Sequence, residues 1–515
     1  MKIIKPAEAA SLIQDGWTIC TSGFVGAGHP EALSAAIEER FLREARPRNL
    51  TLLYAAGQGD RDTRGAGHFG HEGLLKRVVG GHWGAAPRLG ALAVANKVEA
   101  HNWPQGVIAQ LFRAIAGNKP GVVSKIGLHT FIDPRHDGGR LSPCTTEKLI
   151  ELITLRGEEY LFYPSLPIHC ALIRGTSADA RGNISTEEEA FHNDILAIAQ
   201  AAHNSGGIVI AQVKNIVAAG TLNPNAVRVP GILVDYVVQP DHPEHHWQTY
   251  GEDFNPAYTG AGRAMQSEHV VGILDARKII QRRAFFELQK LDNPIGNLGT
   301  GIPAGVGEVA REEGFADFTL TIESGPIGGT PSGNRLSFGA STNPECIVDQ
   351  ASQFDFYDGG GLDIAFLGMA EVDVHGNVNV SRFGDRIAGV GGFVNISQTS
   401  KRVVFMGTFT AGGLGVKTGD GRLEIAHEGR KQKVVPRVEH LSFNGPYSTG
   451  QGVGVLYITE RAVFELCKGK LTLIEIAPGI DLQRDILAHC AKDILISDDL
   501  KLMDARIFRT ARMTI

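Results

Sequence analysis

Short apolar runs alternate along the chain with segments whose apolar residues recur at helical spacing. Residues 319–322 and 208–211 are runs of the first kind, and their length suits buried strands. Residues 33–41 instead place apolar side chains three or four positions apart, as an amphipathic helix does. Glycine, with 64 residues, separates these elements as short loops. Strands that alternate with helices predict an α/β fold with open, largely parallel sheets.

Two parts of the chain repeat each other. Residues 15–30 and residues 296–303 both contain a Gly-rich loop that ends in proline. Proline suits the first turn of a helix, because its fixed φ and missing N–H cost nothing there. Farther along, a strand, an aspartate and a Gly-Asn turn recur around Asp179 and around Asp373. The sequence therefore predicts one architecture that occurs twice in tandem.

The distance between these landmarks differs in the two copies. The proline and the aspartate are 149 residues apart in the first copy and 70 residues apart in the second, so the first copy carries an insertion. Between the copies lies a stretch rich in Pro, His and Gly with little periodicity, which is typical of a boundary. We predict an N-terminal domain with the insertion over 1–245, a linker over 246–265 and a C-terminal domain over 266–515.

Composition excludes several classes of protein. A net charge of -6 provides no basic surface for nucleic acid. The amino terminus has no apolar signal core, and no apolar segment approaches the ~20 residues of a membrane span. We therefore expect a cytoplasmic protein that binds neither nucleic acid nor membrane. The six cysteines form no C-x-x-C pair, and the histidines at 68–71 and 242–246 lack ligand spacing, so no metal is predicted.

Glu323 stands where the apolar run 319–322 ends and a loop rich in glycine begins. A carboxylate at such a strand end can act on an electrophile that comes close to the backbone. An ordinary glutamate titrates near ~4.3, so we expect Glu323 to be ionised at neutral pH and to need no partner base as a nucleophile. The alternative is a solvated glutamate in a turn at the end of a strand.

Three further segments offer groups that bind ligands. Residues 389–393, G-V-G-G-F, can direct several backbone N–H groups to one point, as an oxyanion hole requires, although a tight packing turn is the alternative. The loop 23–30 precedes a helix whose N-terminus can bind an anion, and its glycines lack the G-x-G-x-x-G spacing of a dinucleotide site. In the segment 102–106 the amide of Gln105 can bind a ligand carboxylate, although this segment also suits a simple turn.

These segments resemble the signatures of family I coenzyme A transferases. Residues 15–30 are similar to the amino-terminal signature of that family, with Ser22 in place of the first glycine of its G-G-F element. The E-S-G sequence at 323–325 resembles the catalytic E-x-G, and residues 389–393 resemble the oxyanion element. Segments 359–363, 376–381 and 477–481 extend the resemblance over essentially the whole chain. The 3-oxoacid transferases have S-E-N-G where this chain has I-E-S-G at 322–325. Together with the fusion of both halves in one chain, this difference makes the chain resemble the acetate and propionate CoA-transferase branch more closely.

The resemblance implies two CoA-transferase/NagB-like domains and a ping-pong exchange of CoA between short-chain acyl-CoA and a free carboxylate. Glu323, in the C-terminal domain, is then the nucleophile that becomes a glutamyl-CoA thioester, while the N-terminal domain holds the carboxylate or acyl group. The residues assigned to the oxyanion and to CoA are Gly389, Gly391, Gly392, Gly26 and Gly28, and the residue assigned to the substrate carboxylate is Gln105. The resemblance also implies no cofactor beyond the CoA substrate, no metal, and a homo-oligomer, either a dimer or a tetramer.

Other functions share some of these features. An acyl-CoA hydrolase uses the same carboxylate and admits water, and a 3-oxoacid CoA-transferase acts on other acids. A sugar-phosphate sensor of a transcription regulator has a basic helix-turn-helix, whose charge and pattern residues 1–30 do not show. A Rossmann dehydrogenase does not fit the glycine spacing. The sequence therefore favours a CoA-transferase.

Overall fold

The computed structural model describes residues 1–265 and 272–514. Contacts within the chain form two compact units. Unit 1 consists of Met1–Ala264, Ile322–Asp355 and Arg382–Asn395, and unit 2 consists of Met265–Thr321, Phe356–Ser381 and Ile396–Ile515. Glu323 therefore belongs to unit 1. The predicted domains 1–245 and 266–515 and the linker 246–265 stay a prediction, because contacts alone do not show which segments fold independently.

An eight-stranded sheet, in which all neighbouring strands run parallel, forms the centre of unit 1. Ile19 pairs with Cys170 on one side and with Leu52 on the other, and all three are buried. Burial on both faces is expected of a parallel sheet covered by helices. The strands in order across the sheet are Lys2–Ile4, Tyr236–Val238, Ile208–Gln212, Cys170–Arg174, Thr18–Thr21, Leu50–Tyr54, Leu75–Gly80 and Glu99–Asn102. The helices are Pro6–Leu12, Glu31–Glu44, Pro87–Val94, Gln105–Ala116 and Ile195–Asn204.

The central sheet of unit 2 is parallel except at one strand. Its strands in order are Thr319–Thr321, Ile295–Leu298, Ile364–Gly368, Arg402–Met406, Gly454–Ile458, Ala462–Cys467, Lys470–Ile476 and Leu495–Leu502. Ala462–Cys467 runs antiparallel to both neighbours. The helices of unit 2 are Ala276–Gln289, Gly305–Glu312 and Gly445–Gly450. Two further helices, Gln350–Asp358 and Phe393–Thr399, contain residues of both units. Within the described ranges no helix has the length and apolar character to cross a bilayer.

The predicted repeat is present as the same hydrogen-bonded turn in each unit. Asp179 Oδ1 accepts from the main-chain N–H groups two and four residues later, at 2.9 and 3.0 Å, and its Oδ2 accepts from Asn183 Nδ2 at 2.9 Å. Asp373 makes the same three contacts, at 2.9, 3.0 and 3.0 Å, the last with Asn377 Nδ2. Each asparagine Oδ1 also accepts from the N–H of a later glycine. The two copies therefore share local geometry as well as sequence order.

Additional strands account for the longer spacing in the first copy. Leu75–Gly80 and Glu99–Asn102 extend the unit 1 sheet beyond Leu50–Tyr54. Three antiparallel strands, in the order Gly121–Ser124, Glu158–Pro164 and Glu151–Leu155, form a separate small sheet. The carboxyl ends of parallel strands lie at one edge of a sheet. The loops that follow Gly80 and Asn102 therefore emerge side by side.

We expect Asp373→Ala to lower the thermal unfolding midpoint, because two main-chain N–H groups and the Asn377 amide lose their acceptor. Leaving such buried donors unpaired costs about 1–3 kcal/mol. Scanning calorimetry should show a similar loss for Asp179→Ala and no change for Asp385→Ala, which removes an exposed aspartate. A wild-type midpoint for Asp373→Ala would contradict the importance of this turn.

Candidate active site

Glu323 lies in a tight turn that main-chain hydrogen bonds hold closed. The Ile322 N–H donates to the Pro326 carbonyl oxygen and the Gly325 N–H donates to the Ile322 carbonyl oxygen, each at 3.0 Å. Gly325 has a φ of +119°, and a Cβ at this position would lie 2.0 Å from the Val348 carbonyl oxygen. Only glycine fits such a position. The turn therefore determines the direction in which the Glu323 side chain leaves the backbone.

The glycine turn 389–392 lies directly beside Glu323, far from it in sequence. A Cβ on Gly392 would lie 3.2 Å from Glu323 Cγ and 3.0 Å from Phe354 Cζ. Both distances are shorter than an ordinary contact between carbon atoms, so residue 392 has no room for a side chain. The structure thus brings the predicted nucleophile and the predicted oxyanion turn together within unit 1.

Burial raises the pKa of Glu323 to about 7, against the opposing effect of a hydrogen bond from its own main-chain N–H. The residue as a whole is partly accessible. Its carboxylate is nevertheless surrounded by protein atoms, and this loss of hydration disfavours the charged form. No side chain in residues 1–265 or 272–514 forms an ion pair with it. The expectation of an ordinary, fully ionised glutamate is therefore corrected: burial holds the pKa of Glu323 well above that of an ordinary glutamate.

The glycine turn is held by the loop after strand Leu75–Gly80 and by the start of the helix at Gln105. The Gly391 N–H donates to the Gly81 carbonyl oxygen at 2.7 Å, and the Gln105 N–H donates to the Gly391 carbonyl oxygen at 2.9 Å. The Gly391 N–H is therefore already paired and is not a free oxyanion donor in this structure. The Gly392 N–H has no partner among the described residues, and it remains as the donor that this turn can supply.

Asn102 joins the same loops and was not predicted as a site residue. Its Oδ1 accepts from the Val390 N–H at 3.0 Å. Its Nδ2 donates to the carbonyl oxygens of Gly80 and Gly81, at 2.8 and 2.5 Å. The side chain is fully buried, so these bonds are shielded from water. Asn102 therefore fixes the glycine turn against two strand ends.

His82 is a second residue that the sequence reasoning missed. Its Cβ lies 3.5 Å from the position that a Cβ on Gly391 would occupy. Burial lowers the pKa of His82 to about 4, and the positive charges of Arg61 and Arg386 add to this effect. The imidazole is therefore neutral at pH 7 and has one N–H to donate. The sequence G-G-H-W-G at 80–84, directly after an apolar run, is the signal that indicates it.

Gln105 lies beside the glycine turn, and the nitrogen of its side-chain amide is already hydrogen-bonded. Its Nε2 donates to Gln350 Oε1 at 2.6 Å. Its Oε1 lies 3.4 Å from the position of a Cβ on Gly391. The predicted contact with a substrate carboxylate requires a donor, because a carboxylate only accepts hydrogen bonds. In this structure the amide oxygen, rather than the nitrogen, is the atom close to the turn.

Gly26 and Gly28 pack against other parts of unit 1. A Cβ on Gly26 would lie 2.2 Å from the Leu336 carbonyl oxygen, and a Cβ on Gly28 would lie 2.0 Å from Asn193 Nδ2. These close approaches explain why glycine occupies both positions. None of the described contacts joins them to Glu323. The predicted residues that the structure groups with the acid are Gly389, Gly391, Gly392 and Gln105.

The histidines at 68–71 form hydrogen bonds with carboxylates. His68 Nε2 lies 2.8 Å from Glu31 Oε1, His68 Nδ1 bonds Glu38, and His71 Nε2 lies 2.6 Å from Glu38 Oε1. In the part of the chain that the structure describes, no group of three or more His, Cys, Asp or Glu side chains has the geometry to hold a metal ion. The predicted absence of a metal and of a cofactor stays a prediction.

Comparison with known proteins identifies the family. Residues 3–240 match the family model named coenzyme A transferase. The chain is 46% identical over 515 residues to acetate CoA-transferase YdiF of Escherichia coli O157:H7, which covers 99% of this chain and 96% of that protein. The chain belongs to the family I coenzyme A transferases. It is also 46% identical over 513 residues to caffeate CoA-transferase of Acetobacterium woodii, with 98% of this chain and 97% of that protein covered.

A solved structure supports the same assignment. The crystal structure of the Escherichia coli O157:H7 acyl-CoA transferase YdiF in thioester complex with CoA matches this CoA-transferase with a TM-score of 0.93 at 44% identity, and covers 100% of this chain and 97% of that chain. The predicted α/β fold of two related domains is confirmed, and so is the predicted enzyme class. The protein moves CoA between an acyl-CoA and a carboxylate. These relatives do not favour a hydrolase or a 3-oxoacid CoA-transferase.

The raised pKa of Glu323 predicts a pH-dependent rate of attack on acyl-CoA. Only the ionised carboxylate is nucleophilic, so kcat/KM for acyl-CoA should rise about tenfold per pH unit below pH 7 and bend near pH 7. Initial rates between pH 4 and pH 8 measure this profile. A bend near pH 4.5 would show instead that the carboxyl titrates as an ordinary glutamate.

The close approach of Gly392 predicts a large effect of one added methyl group. Gly392→Ala should lower kcat/KM by about a hundredfold, because displacement of a reacting group by roughly 1 Å has that effect. Gly333→Ala is a matched control, since a Cβ at position 333 meets no atom within 4 Å. Both variants should keep the wild-type circular dichroism spectrum. Undiminished activity of Gly392→Ala would refute the geometry described for Glu323.

Proposed function

We propose that this CoA-transferase acts on short-chain acids of the acetate and propionate type, and that it works by ping-pong chemistry through a thioester between Glu323 and CoA. The observation that carries the proposal is the close approach of the Glu323 side chain to Gly392, which places an acid of raised pKa beside a glycine whose N–H is unpaired among the described residues. The thioester complex of YdiF with CoA supports the covalent intermediate. One relative is named for acetate and another for caffeate at equal identity. The assignment to short-chain acids therefore rests on the resemblance to the acetate and propionate branch.

The first half-reaction transfers CoA to the protein in two steps. A Glu323 carboxylate oxygen attacks the carbonyl carbon of the acyl-CoA thioester. A C–O bond forms, the C–S bond breaks, and CoA leaves as a thiolate from a mixed anhydride. The thiolate sulfur then attacks the Glu323 carbonyl carbon of that anhydride. The product is the glutamyl-CoA thioester, and the first acid leaves as a carboxylate.

The second half-reaction reverses these steps with a different acid. The incoming carboxylate attacks the glutamyl thioester and displaces the CoA thiolate, which then attacks the acyl carbonyl of the new anhydride. Glu323 is released as a carboxylate, and the second acid leaves as its CoA thioester. No net proton is consumed, because each acid enters and departs ionised. One thioester replaces another of similar energy, so the exchange needs neither ATP nor a metal.

Each attack places negative charge on a carbonyl oxygen. The unpaired N–H of Gly392 is our candidate to receive that charge. Removal of one such donor typically raises the barrier by about 3 kcal/mol. Phe354 packs against the same glycine and is fully buried. It keeps one side of the acid dry, which slows hydrolysis of the anhydride and the thioester.

We also propose a homo-oligomer, which the resemblance implies, and a cytoplasmic location, which the sequence predicts because it has neither an apolar signal core nor a segment long enough to span a membrane. Size-exclusion chromatography with light scattering measures the first, and fractionation of the source cells measures the second.

Mass spectrometry of the intact protein tests the covalent step. After mixing with acetyl-CoA and no acceptor acid, the wild type should gain the mass of CoA less one water. Glu323→Ala and the isosteric Glu323→Gln should gain nothing, because neither carries a carboxylate. Glu323→Asp should react far more slowly, since the nucleophile is withdrawn by one methylene.

Steady-state kinetics complete this test. With acetyl-CoA and propionate as the substrate pair, double-reciprocal plots at several propionate concentrations should be parallel. A CoA-sized adduct that persists on Glu323→Ala would show that another residue is the nucleophile.

A further inference from the structure

Three buried polar side chains form a hydrogen-bonded chain within unit 1. Gln105 Nε2 donates to Gln350 Oε1 at 2.6 Å, and Gln350 Nε2 donates to Asp194 Oδ2. These residues are 3%, 1% and 5% exposed, in that order. Water therefore does not compete for the bonds. We call these three side chains the amide chain.

The two ends of the amide chain lie in different surroundings. At one end, Gln105 Oε1 is next to Gly391 in the candidate active site and has no partner among the described residues. At the other end, Asp194 Oδ1 is buried and lacks a hydrogen-bond partner in the described part of the chain. A buried oxygen without a donor is destabilising when it is charged. A proton on the carboxyl relieves that state.

Asp194 titrates near neutral pH. Burial is the main effect and raises its pKa to about 7, while the hydrogen bond from Gln350 opposes the rise. The charged groups that act on Asp194 are Asp349 and Arg113. His192 precedes Asp194 by two positions in the chain, and its Nε2 is hydrogen-bonded to Arg228. The negative aspartate adds to the rise and the arginine on the neighbouring helix lowers the pKa. The imidazole is neutral, because burial and the arginine beside it lower its pKa to about 4.

The protonation state of Asp194 decides whether the bonds of the amide chain can reverse, because only the protonated carboxyl has a donor. An ionised carboxylate only accepts, so Gln350 donates to it, Gln105 donates to Gln350, and Gln105 Oε1 faces the glycine turn. A protonated carboxyl donates its O–H to Gln350 Oε1. Gln350 Nε2 then donates to Gln105 Oε1, and Gln105 Nε2 faces the turn. The change requires only a half-turn of two amide groups.

We propose that Asp194 is a positioning residue that controls, through Gln350, whether Gln105 presents its amide oxygen or its amide nitrogen to the carboxylate substrate. The inference rests on the proposed function, since it assigns a role at the same site. A carboxylate needs a donor, so it binds the form in which Asp194 holds one proton taken from solvent. That proton stays on Asp194 and never reaches the substrate. In the ionised form the oxygen of Gln105 repels the incoming acid.

The pH dependence of kcat/KM for propionate tests this inference. In a ping-pong reaction this constant reports on the glutamyl-CoA form, in which Glu323 is a thioester and does not titrate. Propionate itself is ionised from pH 6 upward. The wild-type value should therefore fall about tenfold per pH unit above pH 7. In the Asp194→Asn variant the side chain has a donor, Nδ2, at every pH. Its kcat/KM for propionate should therefore stay constant from pH 6 to pH 9.

A second variant should lock the amide chain in the opposite state. Gln350→Glu places an ionised acceptor next to Gln105, which keeps the Gln105 nitrogen turned away from the turn. Its kcat/KM for propionate at pH 6 should be at least about tenfold below the wild type, a loss that a missing hydrogen bond of this kind produces. Asp385→Asn removes an exposed carboxylate that none of the described contacts joins to the amide chain or to Arg113 and should keep the wild-type profile.

Two results would overturn the proposal. One is a wild-type kcat/KM for propionate that does not change between pH 6 and pH 9, and the other is an Asp194→Asn profile identical to that of the wild type. Failure of the proposed function has a separate signature. It appears as a wild-type protein that forms no CoA adduct in the mass measurement.

Discussion

The rest of unit 1 depends on one constraint: the Glu323 carboxylate lies beside the main chain of Gly392 and has no cation to pair with it among the described residues. Removing a charge from water without a partner is unfavourable, and Glu323 responds through its raised pKa. A nearby lysine or arginine relieves such a cost in other proteins, but it also makes the carboxylate a weaker nucleophile. Next to Glu323 lies instead the main chain of Gly392, against which the Phe354 ring also packs.

This arrangement explains why so many hydrogen bonds hold the glycine turn. A flexible turn moves away from a buried acid, whereas this turn is bound by Gly81, Asn102 and Gln105. Gly81 follows the strand Leu75–Gly80 and Asn102 ends the strand Glu99–Asn102, and only the first copy of the repeat contains these two strands. The inserted strands therefore contribute directly to the site, and they are more than an enlargement of the sheet.

Sequence patterns predicted the fold class, because both copies keep the same order of strands, glycine loops and aspartate turns. They also indicated Glu323, since a carboxylate after an apolar run stands at a strand end. The pKa of that acid was not predictable from its neighbours in sequence, because residues such as Phe354 and Gly392 enclose it only in the folded chain.

The missed residues share a different cause. Asn102 and His82 are polar residues at or just after the ends of short strands, and polar residues at such positions are typical of ordinary turns. The prediction for Gly391 was incomplete for a related reason: a glycine pattern identifies a close approach but not which N–H group is already paired. Pairing with Gly81 depends on a contact between segments about three hundred residues apart in sequence.

The fixed glycine turn has a consequence for the reaction barrier. Water around a developing oxyanion must reorient its dipoles, and that reorganisation is a large part of the barrier in solution. Here the peptide dipoles around Gly392 are already oriented by bonds to Gly81, Gln105 and Asn102 before any ligand arrives. In solution, water dipoles must be reoriented in every reaction. In this protein the main-chain dipoles are oriented when the chain folds, so this cost does not recur in each turnover.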